Sequence, residues 1–275
     1  MTEARNLRSL VASAQLPPGT LVDRTVLGKW HEPLLWRADF PAGPESWRRM
    51  LPVRDATGLW PVLLGVHSRG ARVEDDLLPP SGTRDGEAGA DGTAGDTGTD
   101  SDAGSALACW WAEHTAREPA DGTALRPYGR RWPGLAPSPA RRGDPDTAAA
   151  SLARSLVAHG TLRDPRIALA PARRSAGIPD AIGWTGTLAH GADTAPYGAV
   201  LRSWEERFGT RVVALETEVL HLSVASPPRS VDQALPVAAE HYAFCPAVIR
   251  QGAGDLVRYA EKWLVGRGHW SFWWD

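Results

Sequence analysis

Lysine is almost missing from this chain: only Lys29 and Lys262 carry it, and arginine supplies the remaining cationic charge. Cysteine is equally scarce. Cys109 and Cys245 are too few for a disulfide framework, and both fall in apolar patterns of helical spacing. No charge of one sign dominates, since the net charge is −2 and acidic and basic residues interleave. Nucleic acid and anionic membrane surfaces are therefore excluded as electrostatic partners. No apolar run reaches the roughly 18 residues of a membrane span. Met1 to Ala14 lack the apolar core of a signal peptide. The expectation is a soluble, cytoplasmic protein. Also lacking are a Gly-rich phosphate loop, G-x-S-x-G, H-E-x-x-H and any paired-carboxylate motif. Cys109, His114, His241 and Cys245 are metal-ligating types, but neither pair has Cys-x₂₋₄-Cys or His-x₃₋₅-His spacing. No metal and no cofactor are expected.

Tryptophan, in contrast, is abundant: 13 residues against four Tyr and four Phe. The chain closes on His269-Trp-Ser-Phe-Trp-Trp-Asp275. In a strand, Trp270, Phe272 and Trp274 line one face. Burying each is worth about 1.5–3 kcal/mol, so this segment is read as an interior strand of the fold.

Composition divides the sequence. Residues 1–16 form a tail and 17–78 a strand-rich segment with a turn-rich stretch around Trp30, Trp36 and Trp47. Within it, Gly58-Leu-Trp-Pro-Val-Leu-Leu-Gly65 reads as a buried strand, with Pro61 placing it at an edge or bulge. His67 at its end is a weak site candidate. Residues 79–104 string Asp85, Glu87, Asp91, Asp96, Asp100 and Asp102 through Gly, Ala and Thr, a composition that favours disorder. Residues 105–160 hold two helices, the first capped by Ser105 and the second running from Thr147 to His159. An exposed Pro- and Arg-rich connector joins them.

Residues 161–275 form an α+β unit. Ile167–Ala170, Ala181–Trp184, Arg211–Leu215 and Val219–Ala225 read as strands, the last two as a hairpin with His221 in solvent. Tyr197, Val200, Leu201, Trp204 and Phe208 share a helix face. Ser230 and Gln233 open a further helix, in which Pro236 predicts a kink or a fresh start. Its buried stripe runs through Tyr242 and Cys245, with Glu240 on the opposite side. Leu256, Tyr259, Ala260 and Trp263 mark a last short helix. The fold class expected is α+β: an antiparallel or mixed sheet, helices mainly on one face, and the aromatic terminal strand within it.

Leu201-Arg-Ser-Trp-Glu-Glu-Arg-Phe-Gly209, Ser223-Val-Ala-Ser-Pro-Pro228, Ala239-Glu-His-Tyr-Ala-Phe-Cys-Pro246 and Phe272-Trp-Trp-Asp275 together resemble the bacterial family known as domain of unknown function 4253. The likeness runs from about Ile167 onward, with Gly58-Leu-Trp-Pro-Val62 an upstream echo. Where the family often has an acidic residue after Cys-Pro, Ala247 stands here. The resemblance implies no reaction.

Two functions fit. One is a non-catalytic binding or interaction protein, with a protein partner and exposed members of the tryptophan set as anchors: Trp60, Trp184, Trp204 and Trp273, with Asp275 beside them. The other is a small hydrolase or transferase using Glu240, His241 and Cys245, because His241 and Cys245 stand one helical turn apart and an imidazolium lowers a thiol pKa. The sequence fixes no oligomeric state.

Overall fold

A computed structural model describes residues 6–66, 70–80, 100–118, 123–140, 143–186 and 195–274. His67, Asp275 and residues 81–99 of the acidic stretch lie outside them. Nine α-helices and nine strands occur among the described residues. Helices are α1 (Leu7–Ser13), α2 (Ser46–Arg49), α3 (Leu51–Thr57), α4 (Asp100–Ala116), α5 (Pro145–Ala158), α6 (Ile178–Ala181), α7 (Ala195–Phe208), α8 (Val231–Phe244) and α9 (Leu256–Tyr259). Strands are β1 (Gly19–Val22), β2 (Arg24–Thr25), β3 (Gly28–Lys29), β4 (Leu35–Ala38), β5 (Trp60–Leu64), β6 (Arg166–Ala170), β7 (Thr210–Leu215), β8 (Val219–Val224) and β9 (His269–Trp273).

Seven strands make one mixed sheet in the order β1-β4-β6-β5-β7-β8-β9, and β2 with β3 forms a separate small hairpin. Every pairing in the large sheet is antiparallel except β5 with β7. Strand β5 thus sits between β6 and β7, the central position its continuous apolar sequence suits. Pro61 lies within it, paired opposite Leu169 in an unshifted register, so the edge or bulge position expected from this proline is corrected. In β7 the register shifts between Val212 and Ala214. This bulge turns both Val213 and Ala214 to one face before Leu215 returns to the other.

The larger core occupies one face: Val62, Leu64, Ala168, Val212, Leu220 and Leu222 meet α4, α7, α8 and α9. The smaller core, on the reverse face, packs Leu63, Leu169 and Val213 against Trp36, Trp47 and the Ala149, Leu152, Ala153 and Leu156 side of α5. Helix α5 begins as its sequence dictates. Asp144 accepts from the Thr147 amide, and Pro145 takes the first turn, where no amide is needed.

Strand β9 lies in the sheet, antiparallel to β8, with Trp270, Phe272 and Trp274 buried. Their rings pack against Trp204, Phe244 and His241. Trp204 stacks on Phe272 at 5.3 Å, and Phe244 meets Trp274 edge-on at 5.6 Å.

Several local expectations are corrected. Helix α4 starts at Asp100, ahead of Ser105, because Ala103 and Leu107, one turn apart, both reach the core. Residues 178–181 are helical, and Trp184 makes only an isolated bridge to Leu77. Helix α8 runs unbroken through Pro236, and the terminal rings and α7 hold it in place. Ala136, from the stretch read as an exposed connector, is buried.

Candidate functional site

The residues expected to carry chemistry on α8 are shut inside the molecule: Glu240, His241 and Cys245 are each 0% exposed. Glu240 does not lie opposite the apolar stripe in solvent. Its Oε1 accepts from the Ala136 amide at 2.6 Å and from Arg207 Nη1 at 2.8 Å. Its Oε2 accepts from Trp204 Nε1 and Arg207 Nη2, both at 2.7 Å. Arg207 also donates to Ser203 Oγ and to the Ala136 carbonyl. This fork of charge-assisted bonds ties the segment at Ala136 to α7 and α8, and its oxygens are consumed in doing so.

His241 pairs its Nδ1 with the Tyr259 hydroxyl at 3.0 Å and is ringed by Trp204, Trp270 and Phe272. Burial, and then the charge of Arg207, hold its imidazolium well below the usual range, so the ring is neutral. The Cys245 thiol donates to the Trp273 carbonyl at 3.0 Å. A thiol so placed is shielded from solvent and fits a structural role. Cys109, on α4, is exposed.

The tryptophan anchors are scattered. Trp204 and Trp184 are buried, the latter donating to the Glu216 carbonyl at 2.7 Å. Trp60 is half-buried, with the guanidinium groups of Arg54 and Arg211 over its ring at 4.9 and 5.4 Å. Trp273, on the far side of β9, donates to Gln251 at 3.2 Å. No common surface joins these four among the described residues.

A different place gathers accessible polar groups. Between α5 and the start of β9 lies a groove of about 760 Å³. Ala148, Ser151, Leu152 and Ser155 form the α5 wall, spaced so that they share one helix face. Val224, Gly268 and His269 form the other wall, and Lys262, Trp263 and Arg267 the rim. Trp263 is 56% exposed, although its spacing with Leu256 and Tyr259 predicts burial. The cause is backbone geometry: residues 260–264 wind as a π-helix, with the Val265 amide bonding to the Ala260 carbonyl. The wider turn puts Leu264 in the core and swings Trp263 out.

Behind the groove wall a polar chain runs into the sheet. His269 and His221 are diagonal neighbours on one face of β9 and β8, with His269 Nε2 3.1 Å from His221 Nδ1. His221 is buried rather than solvated, and its Nε2 lies 3.4 Å from Glu216 Oε1. Glu216 occupies the β7–β8 turn. Its amide is held by the Val219 carbonyl and its own carbonyl by Trp184. Gly65 makes room for its side chain, since a Cβ there would stand 2.9 Å from Glu216 Cγ. Ser223, opposite His269 in the ladder, is fully buried and its hydroxyl has no partner among the described residues. Burial, and then the adjacent His221, push the His269 pKa down to about 4.

None of this chain was singled out by sequence motif. The available signal was two histidines, at positions 221 and 269, that alternation assigns to the same sheet face once β8 and β9 are paired.

The fold is thus that of a mixed α+β protein with a groove between α5 and β9. Residues 166–275 match the family model described as Domain of unknown function (DUF4253). No curated protein matches the chain, and neither does any solved structure. No helix among the described residues is long and apolar enough to cross a membrane.

Proposed function

We propose that this chain is a binding protein whose ligand occupies the groove between α5 and β9 and combines a negative charge with a flat apolar part. The observation that carries this reading is Trp263, a large exposed aromatic flanked by Lys262 and Arg267 over a cavity of about 760 Å³. That volume is within the roughly 300–1,000 Å³ range of small-molecule sites. Exposed indole is costly to leave in water, and its face suits a planar group. Arg267 is pre-set, its Nε donating to the Lys262 carbonyl at 3.0 Å. Helix α5 adds two hydroxyls, Ser151 and Ser155, and no charge to the lining.

The test uses 8-anilino-1-naphthalenesulfonate, an anionic planar fluorophore. It is expected to bind saturably and to quench tryptophan emission. Trp263→Ala and the double variant Lys262→Glu/Arg267→Glu should each weaken binding at least tenfold while leaving the circular dichroism unchanged. Binding that ignores both changes overturns the reading.

A further inference from the structure

We infer that the groove is also a hydrolytic site, in which His269 takes a proton from a water molecule while His221 and Glu216 behind it hold His269 in the accepting tautomer. The inference rests on the ligand reading above, because the groove must first hold the substrate.

The direction of the hydrogen bonds follows from the end of the chain. A carboxylate only accepts, so His221 carries its proton on Nε2, toward Glu216. His221 Nδ1 is then a lone pair and can only accept, so His269 carries its proton on Nε2. The remaining nitrogen of His269, Nδ1, is left as an acceptor on a residue that lines the groove. The reverse arrangement would set a bare His221 lone pair against the Glu216 oxygen. A base oriented by a second group, itself oriented by a carboxylate, is the arrangement nucleophile-activating sites use.

The cationic rim selects an anionic substrate, and a carboxylic ester is the class a single general base can hydrolyse. The water oxygen bonds to the acyl carbon and its proton passes to His269 Nδ1. The C–O bond to the alcohol then breaks, and the departing alkoxide recovers the proton from His269. Nothing is oxidised or reduced. The lowered pKa of His269 leaves Nδ1 unprotonated across neutral pH.

The probe is 4-nitrophenyl hemisuccinate, whose carboxylate meets Lys262 and Arg267 and whose ring meets Trp263. Saturable release of 4-nitrophenol is expected. His269→Gln should lower kcat at least 100-fold, in the range general-base removal produces. His221→Gln and Glu216→Gln, at positioning residues, should lower kcat about tenfold with KM unchanged. Trp263→Ala should raise KM. His221 faces His269 from the sheet and links it to Glu216, and Lys262 and Arg267 share the groove lining with it. Removing the Glu216 charge withdraws support from the imidazolium, so the rising limb of the pH profile should move to lower pH, which a purely structural role would not produce. His31→Gln, at an exposed histidine outside the groove lining, should change nothing.

Nitrogen-15 NMR of the imidazoles gives a reading independent of substrate: His269 should carry its proton on Nε2. A proton on Nδ1 overturns the inference. So does wild-type protein that binds the fluorophore through Trp263 yet hydrolyses no faster than His269→Gln, in which case the binding reading stands. Loss of fluorophore binding as well removes both.

Discussion

At the scale of single residues, Glu240 illustrates how little a side chain's type says about its task. A glutamate beside a histidine on a helix reads as acid–base chemistry. Here four donors hold its two oxygens, and it sits where no water reaches. Breaking such a pair strands the partner charge. Glu240→Ala is expected to cost about 3–5 kcal/mol in urea unfolding, and Glu240→Ala/Arg207→Leu less than the single change. His241 has the opposite character, a neutral ring kept from protonating by burial. Below its ordinary value of 6.5 the unfolded chain binds a proton that the native state refuses. Stability therefore falls with acidification, by up to about 1.4 kcal/mol per pH unit for each such ring. Denaturant titrations at several pH values should show this slope, and His241→Phe should reduce it.

At the scale of elements, alternation and helical spacing carried a long way. The five strands at residues 59–66, 167–170, 211–215, 219–225 and 269–274 are present as β5 to β9. Periodicity failed where the backbone departs from a regular period. Trp263 left its stripe because one turn is π-helical, and β4, which pairs β1 with β6, was hidden among prolines that read as turns. The groove could not be read from the sequence either, because α5 and β9 are far apart in the chain and meet only through the sheet they share. Strand β9 offers the element-scale test. A chain stopped after Ser271 loses Phe272 and Trp274 from the centre of the larger core, each worth about 1.5–3 kcal/mol. It should melt without a cooperative transition by circular dichroism. A midpoint within a few degrees of the full chain would contradict the packing described.

At the scale of the whole molecule, the sheet order has a bearing on the family match. The matched stretch, residues 166–275, contains β6, β7, β8 and β9, yet β6 and β7 are not paired, because β5 stands between them. Expressed alone, this stretch should be largely unfolded by amide hydrogen exchange, since β6 loses both neighbours and β7 loses one. Adding residues 17–78, which bring β1, β4 and β5, should restore protection in β7 and β8.

The same placement of β5 governs how the chain can be made. A ribosome releases Trp60–Leu64 long before either flanking strand, β6 or β7, has been synthesised, so an apolar segment with two unsatisfied edges must wait through most of translation. Yield of the native protein in a cell should therefore depend on holding factors that bind nascent hydrophobic segments.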